Sequence, residues 1–170
     1  MNKKILITGA NGFLGSAITK LALKKNFKVN VLVRRNTNIK NLEKIKSKIK
    51  VFYGDLRDIS SLENPIASSD VIFHVAADYR LWSRNPKELY DSNVRGTENI
   101  CIKASNLKKT LIYTSSVATL GLKKNEYSNE DTPVVFSDMI GDYKKSKYLA
   151  EKIVERFIKI KKMKCIIVNP

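Results

Sequence analysis

The chain has 170 residues, 43% apolar and 28% charged, which is the composition of a globular domain with one hydrophobic core and excludes a disordered chain. No apolar run approaches the roughly 20 residues that span a bilayer. Two cysteines without paired spacing, beside a single histidine, exclude a zinc site, and Cys101 and Cys165 read as reduced core thiols. Lysine and arginine number 32 against 16 aspartates and glutamates, a formal charge of +16 that favours polyanions, anionic lipid or phosphorylated substrates. The lysines are scattered over helix faces and loops and are not interleaved with aromatics, so no specific nucleic-acid function is expected. Loose attraction to an anionic membrane surface stays open. The start, MNKKILITGA, runs straight into a strand and a glycine loop without room for a signal peptide, and a cytoplasmic protein is expected.

Short apolar runs alternate with longer helical stretches, as in a parallel α/β sheet. Residues 4–8 read as a strand. Residues 12–25 follow as a helix with Phe13, Leu14, Ala17, Ile18 and Leu21 on its apolar face. A second strand at 29–33 leads to a short lysine-rich helix over 39–47 and a third strand at 50–53. A weak helix over 60–66, cut by Pro65, precedes a fourth strand at 71–75, apolar on both faces as a central parallel strand should be. Pro86 opens a long helix to about residue 105, and 109–115 is the fifth strand. Residues 116–140 are mostly loop. A long helix over 141–162 carries a stripe of Leu149, Ile153 and Phe157, and 165–168 reads as a buried sixth strand. Right-handed crossovers between six such strands predict a Rossmann-type doubly wound sheet in the order 3-2-1-4-5-6.

Thr8 to Gly15 spell TGANGFLG between the first strand and the first helix. The G-x-x-G-x-x-G spacing suits a dinucleotide. Gly9 permits a tight turn, Gly12 lets backbone N–H groups approach a pyrophosphate at the positive helix end, and Gly15 lets the helix pack close to the sheet. A carboxylate at the end of the second strand would repel a 2′-phosphate, but this sequence has Arg34 and Arg35 there. NADP(H) is therefore expected over NAD(H), with two solvent-facing arginines as the alternative. Asp55, after the third strand, is placed either to accept from an adenine amino group or to cap the following turn.

Tyr143 and Lys147 stand at i and i+4 on a predicted helix and so share a face. An ammonium near a phenol favours the phenolate, which suits a group exchanging a proton with a carbonyl or alcohol oxygen. Ser115 and Ser116, at the end of the fifth strand, offer a hydroxyl to orient that oxygen. A Tyr–Lys pair at this spacing is by itself common on helix surfaces.

Seven segments in this order resemble the extended short-chain dehydrogenase/reductases: TGANGFLG (8–15), GDLRD (54–58), HVAA (74–77), NVRGTENI (93–100), YTSSVATLG (113–121), YKKSK (143–147) and VNP (168–170). The run HVAADYRLWSRNP, with YTSSVATLG and DMIGDYKKSK, is similar to the hopanoid-associated sugar epimerase group, near the dihydroflavonol 4-reductase and 3β-hydroxysteroid dehydrogenase branches. The resemblance implies Tyr143 as acid/base, Lys147 as the residue holding the nicotinamide ribose, and Ser116 rather than Ser115 as the catalytic hydroxyl. It implies cofactor contacts at Gly9, Gly12, Phe13, Leu14, Gly15, Arg34, Asp55, Leu56, Ala76, Ala77 and Asn93. His74 is expected to be a packed strand residue. Tyr79, Arg80 and Trp82 are expected either to touch substrate or to pack a loop down. The family's chains are about twice this long, so the chain reads as an N-terminal fragment lacking the substrate region. The implied reaction is hydride transfer at a carbonyl or alcohol carbon of a sugar-, polyol- or isoprenoid-linked substrate, as an epimerase or a reductase. The alternatives are a non-catalytic NADP(H)-binding regulator and an inactive fragment.

Overall fold

The computed structural model describes residues 3–170, so the first two residues of the expected leaderless start lie outside it. Strands β1 (Lys4–Thr8), β2 (Lys28–Val33), β3 (Ile49–Tyr53), β4 (Val71–His74), β5 (Thr110–Thr114) and β6 (Cys165–Val168) make one sheet. All neighbours are parallel, in the expected order β3-β2-β1-β4-β5-β6. The chain leaves β1 toward one edge and returns at β4 toward the other, which opens a crevice between the carboxyl ends of β1 and β4. Parallel pairs require crossovers, and these carry α1 (Phe13–Lys24), α2 (Glu63–Ala67), α3 (Pro86–Tyr90), α4 (Gly96–Asn106) and α5 (Asp142–Lys161).

Strand side chains alternate between faces, so β1 sends Leu6 into one core and Ile5 and Ile7 into another. The first core joins Leu6, Ile72, Leu111 and Tyr113 to Ile100 of α4 and to Ala150 and Val154 of α5. The second joins Ile5, Ile7, Val29 and Val31 to Ala22 of α1 and to Leu42.

Several local expectations change. α1 does not bury Phe13, Leu14, Ala17 and Leu21; its buried positions are Gly15, Ser16, Thr19 and Ala22, and Phe13 is 94% exposed. A helix lying this close to a sheet accepts only small residues underneath, so the small face wins over the apolar one. Similarly, α5 buries Ala150, Val154 and Phe157, with Leu149 and Ile153 only half-buried. Pro65 does not cut its helix: it lies in the first turn of α2, where a missing N–H costs nothing. The lysine-rich segment Lys40–Lys48 is a 3-10 helix. The predicted 86–105 helix contains a π turn, Asp91–Arg95, between α3 and α4. As an edge strand, β6 leaves Ile166 and Val168 exposed and Cys165 half-buried, unlike the fully buried Cys101.

Candidate active site

A groove of about 1080 Å³ lies over the carboxyl ends of the central strands. Its floor at β1 is the glycine loop. Gly9 has φ 67°, and a Cβ there would lie 2.7 Å from Ala76 Cα. Its carbonyl accepts from Gly12 N–H at 3.0 Å, closing the turn that starts α1. Gly12 is the N-cap of α1, but no side chain caps the helix and no acidic residue stands in its first turn. The first N–H groups of a 12-residue helix are thus left to an outside acceptor, as a pyrophosphate site requires. Asn11 steadies the loop from outside: its side-chain amide donates to Thr37 Oγ1 and to Asn38 O, each at 3.2 Å, and its backbone carbonyl accepts from the Asn41 side chain at 2.9 Å.

Beside the loop, a second concavity of about 630 Å³ is bordered by Arg34, Arg35, Tyr53 and Arg57. The Arg35 guanidinium stacks over the Tyr53 ring at 5.7 Å. Asp55 is gripped bidentately by Arg57, at 3.0 Å to Oδ1 and 2.6 Å to Oδ2. That guanidinium holds the Asp55 carboxyl below the usual carboxylate range, against the opposing effect of burial. The arginine-rich wall suits a phosphate dianion.

On the β5 side the groove is bordered by Ser116, Tyr143 and Lys147. The two serines divide in role. Both line the groove, but Ser115 is buried and donates its hydroxyl to Glu151, whereas Ser116 Oγ accepts from Ala118 N–H at 3.1 Å. Lys147 is only 3% exposed and donates to Tyr113 Oη at 2.9 Å and to Thr114 O at 2.8 Å. Two of its three donors are taken inside the protein, and the ammonium also borders the groove. Burial pushes the Lys147 pKa down to about 8, while the charge of Glu151 opposes that shift.

Beneath the groove runs a buried polar chain that the sequence reading missed. Thr8 Oγ1 accepts from the N–H groups of Val75 and Ala76, each at 3.2 Å, so its own proton goes to His74 Nδ1 at 2.8 Å. By this count of protons His74 carries its hydrogen on Nε2 and donates to Thr97 Oγ1 at 3.0 Å. Burial, assisted by the nearby Lys147 charge, pushes the imidazole down to about 3 and keeps it neutral. The His74 ring also lies 5.8 Å from the Tyr113 ring, whose phenol accepts from Lys147. A buried polar path therefore runs from the turn at Ala76 through Thr8 and His74 to Thr97, beside the Tyr113–Lys147 pair. His74 is packed, as expected, but it is packed into this path.

Gly9, Gly12, Phe13, Leu14, Gly15, Arg34, Asp55, Leu56, Ala76, Ala77, Ser116, Tyr143 and Lys147 all line the one groove. Asn93 does not. Its side chain is 2% exposed, accepts from Asp78 N–H at 2.7 Å, and donates to Asp78 O at 2.8 Å and Ser146 Oγ at 3.0 Å. Tyr79 and Arg80 reach the groove rim, with Arg80 paired to Asp78 and Glu88; Trp82 is 74% exposed and lies outside the lining. Among the described residues no cluster of ligands suits a metal ion, and no helix is long and apolar enough to cross a membrane.

A glycine loop at the switch point of such a sheet, feeding a groove bordered by serine, tyrosine and lysine, defines an α/β protein shaped for a dinucleotide. The chain belongs to the NAD dependent epimerase/dehydratase family, whose model matches residues 5–170. It is 37% identical over 149 residues to the putative dihydroflavonol 4-reductase of Synechocystis sp. (strain ATCC 27184 / PCC 6803 / Kazusa), covering 86% of this chain and 42% of that protein. It is 34% identical over 164 residues to the N-acetyl-alpha-D-glucosaminyl-diphospho-ditrans,octacis-undecaprenol 4-epimerase of Escherichia coli O157:H7, covering 92% of this chain and 44% of the relative. The crystal structure of gox2253 matches with a TM-score of 0.92 at 40% identity, over 99% of this chain and 51% of that one. The chain thus spans less than half the length of these two curated relatives.

Proposed function

We propose that the chain is the cofactor-binding and catalytic part of an NADP(H)-dependent enzyme acting on a carbon that bears a hydroxyl or carbonyl, in a sugar-, polyol- or isoprenoid-linked substrate. The observation that carries this reading is the meeting of Ser116, Tyr143 and Lys147 in one groove with the uncapped start of α1. A nicotinamide dinucleotide bound there would supply the hydride donor or acceptor. Tyr143 moves the proton at the substrate oxygen, and Ser116 donates to that oxygen to orient it. Lys147 places a positive charge one helical turn from Tyr143 and holds ribose hydroxyls with its remaining donor. The α1 N-terminus takes the pyrophosphate, and the arginine wall takes a 2′-phosphate.

The arginines favour NADP(H) and with it a net reduction. Hydride returned to the other face of the same carbon would make the reaction an epimerisation, and the names of the two curated relatives include one of each.

Fluorescence titration with NADPH and NADH tests the reading. NADPH should bind more tightly, and Arg34→Ala should weaken NADPH about tenfold or more while barely touching NADH. Equal losses for both cofactors would remove the basis for NADP(H). In a form of the protein that turns over, Tyr143→Phe should keep cofactor binding and lose about a hundredfold or more in kcat. Unchanged turnover would sink the role given to Tyr143.

A further inference from the structure

Glu151 lies one helical turn beyond Lys147 and two beyond Tyr143 on α5, yet it belongs to none of the segments that carry the chemistry proposed above. Its half-buried carboxylate gathers donors from two other parts of the chain. Ser115 donates to Oε2. The Thr119 hydroxyl lies 3.0 Å from the same oxygen and 2.7 Å from the Ser116 carbonyl, so one proton serves both. The Asn169 amide lies 3.3 Å from that oxygen and 3.1 Å from the Ser116 carbonyl. The short turn that presents Ser116 is therefore tied to α5 through one side chain, on the same helix stripe that presents Tyr143 and Lys147.

The same carboxylate acts on Lys147 by charge. Facing that ammonium are Tyr113 and the Thr114 carbonyl from β5, the neutral His74 from β4 and Glu151 from α5 itself. Glu151 is the carboxylate whose charge acts on Lys147. Burial alone would favour the neutral amine, and a carboxylate one turn away opposes it.

We propose that Glu151 is a positioning residue that couples the two halves of the site: it ties down the turn carrying Ser116 and keeps Lys147 in its ammonium form. This rests on the roles given above to Ser116 and Lys147. The physical coupling, however, is measurable in the chain without cofactor or substrate, so its failure is distinct from failure of the proposed function.

The test is 15N NMR of lysine side chains in the 170-residue chain, with the Lys147 signal identified by its loss in Lys147→Arg. Glu151→Gln keeps an acceptor for Ser115 and Thr119 but removes the charge. Lys147 should then titrate about one pH unit lower, while amide exchange at Ala118 and Thr119 changes little. Thr119→Val keeps the charge and cuts one tether, so Lys147 should titrate as in the wild type while those amides exchange about tenfold faster, as loss of a roughly 1.4 kcal/mol restraint implies. Should Glu151→Gln fail to fold, Glu151→Asp replaces it: the charge stays, so the Lys147 titration should stay with it. An unmoved Lys147 in Glu151→Gln overturns the proposal. So does an equal shift in Thr119→Val or Glu151→Asp, because that would assign the effect to loosened packing.

Discussion

A methyl group added at Gly15 would lie 2.1 Å from the Gly9 carbonyl oxygen, whereas one at Gly141 would meet nothing within 4 Å. Gly141 nonetheless sits at φ 82° and ψ 157°, a region that side chains avoid. Gly141→Ala is therefore expected to cost about 1–3 kcal/mol of local strain. Gly15→Ala must instead push the first turn of α1 away from the Gly9–Ala10 backbone, with a larger loss and no measurable NADPH binding. Urea unfolding of both variants separates the effects, and equal losses would refute the close-packing argument. His74, the single histidine of the chain, makes a second residue-level case. An unfolded histidine titrates near 6.5 and this buried ring at about 3, so between those values the unfolded chain holds the extra proton. Stability should thus fall as pH drops through that window, by up to about 1.4 kcal/mol per unit. Asp55 and Asp78, held low mainly by Arg57 and Arg80, add their losses only below about pH 4. Unfolding between pH 6.5 and 4.5 should accordingly follow the histidine. Its 15N resonances should stay those of a neutral ring with the proton on Nε2, and a ring that titrates near 6 would contradict the buried path.

Among the elements, the π turn at Asp91–Arg95 has a clear use. It holds Asn93 inward, where one amide grips both backbone groups of Asp78 and reaches Ser146 on α5. The strand-end loop that walls the groove is thereby fastened to the helix that carries Tyr143 and Lys147. Asn93→Ala should leave these groups unpaired at a cost of about 2–3 kcal/mol, with faster amide exchange at Asp78 and weaker cofactor binding. Full protection of Asp78 in that variant would mean that the loop is held by something else. The buried face of α1 follows a related rule: the residues it turns inward, Gly15, Ser16, Thr19 and Ala22, are small rather than strongly apolar, and at Gly15 the room is taken by the Gly9–Ala10 backbone.

For the molecule as a whole, the dominant property is the charge of +16. It attracts anions without choosing among them, so binding to anionic vesicles or to heparin should be appreciable at low ionic strength. It should be largely lost by about 0.5 M salt, where the screening length is only a few ångström. Co-sedimentation across a salt series measures this, and binding that survives high salt would point to a built site. If the proposed site is used, NADPH affinity should fall more gently with salt, because a helix start and an arginine wall would hold it by directed hydrogen bonds as well as charge.

Much of this was legible in the amino-acid sequence. The alternation of apolar strands and helices determined the parallel sheet and its order, because few right-handed connections satisfy that pattern. Local spacing determined the glycine loop at Gly9–Gly15 and the shared face of Tyr143 and Lys147, because such relations depend only on the geometry of one turn or one helix. The tertiary structure alone decided that the Ser115 hydroxyl is spent on Glu151 while Ser116 Oγ takes the Ala118 N–H, and that Asn93 fastens a loop instead of lining the site. It also decided that the buried His74–Thr97 pair lies beside the Tyr113–Lys147 pair, and that Glu151 reaches the Ser116 turn. These contacts join separate strands and helices. Their partners are set by strand register and by how closely each helix approaches the sheet, which no periodicity within a single element contains.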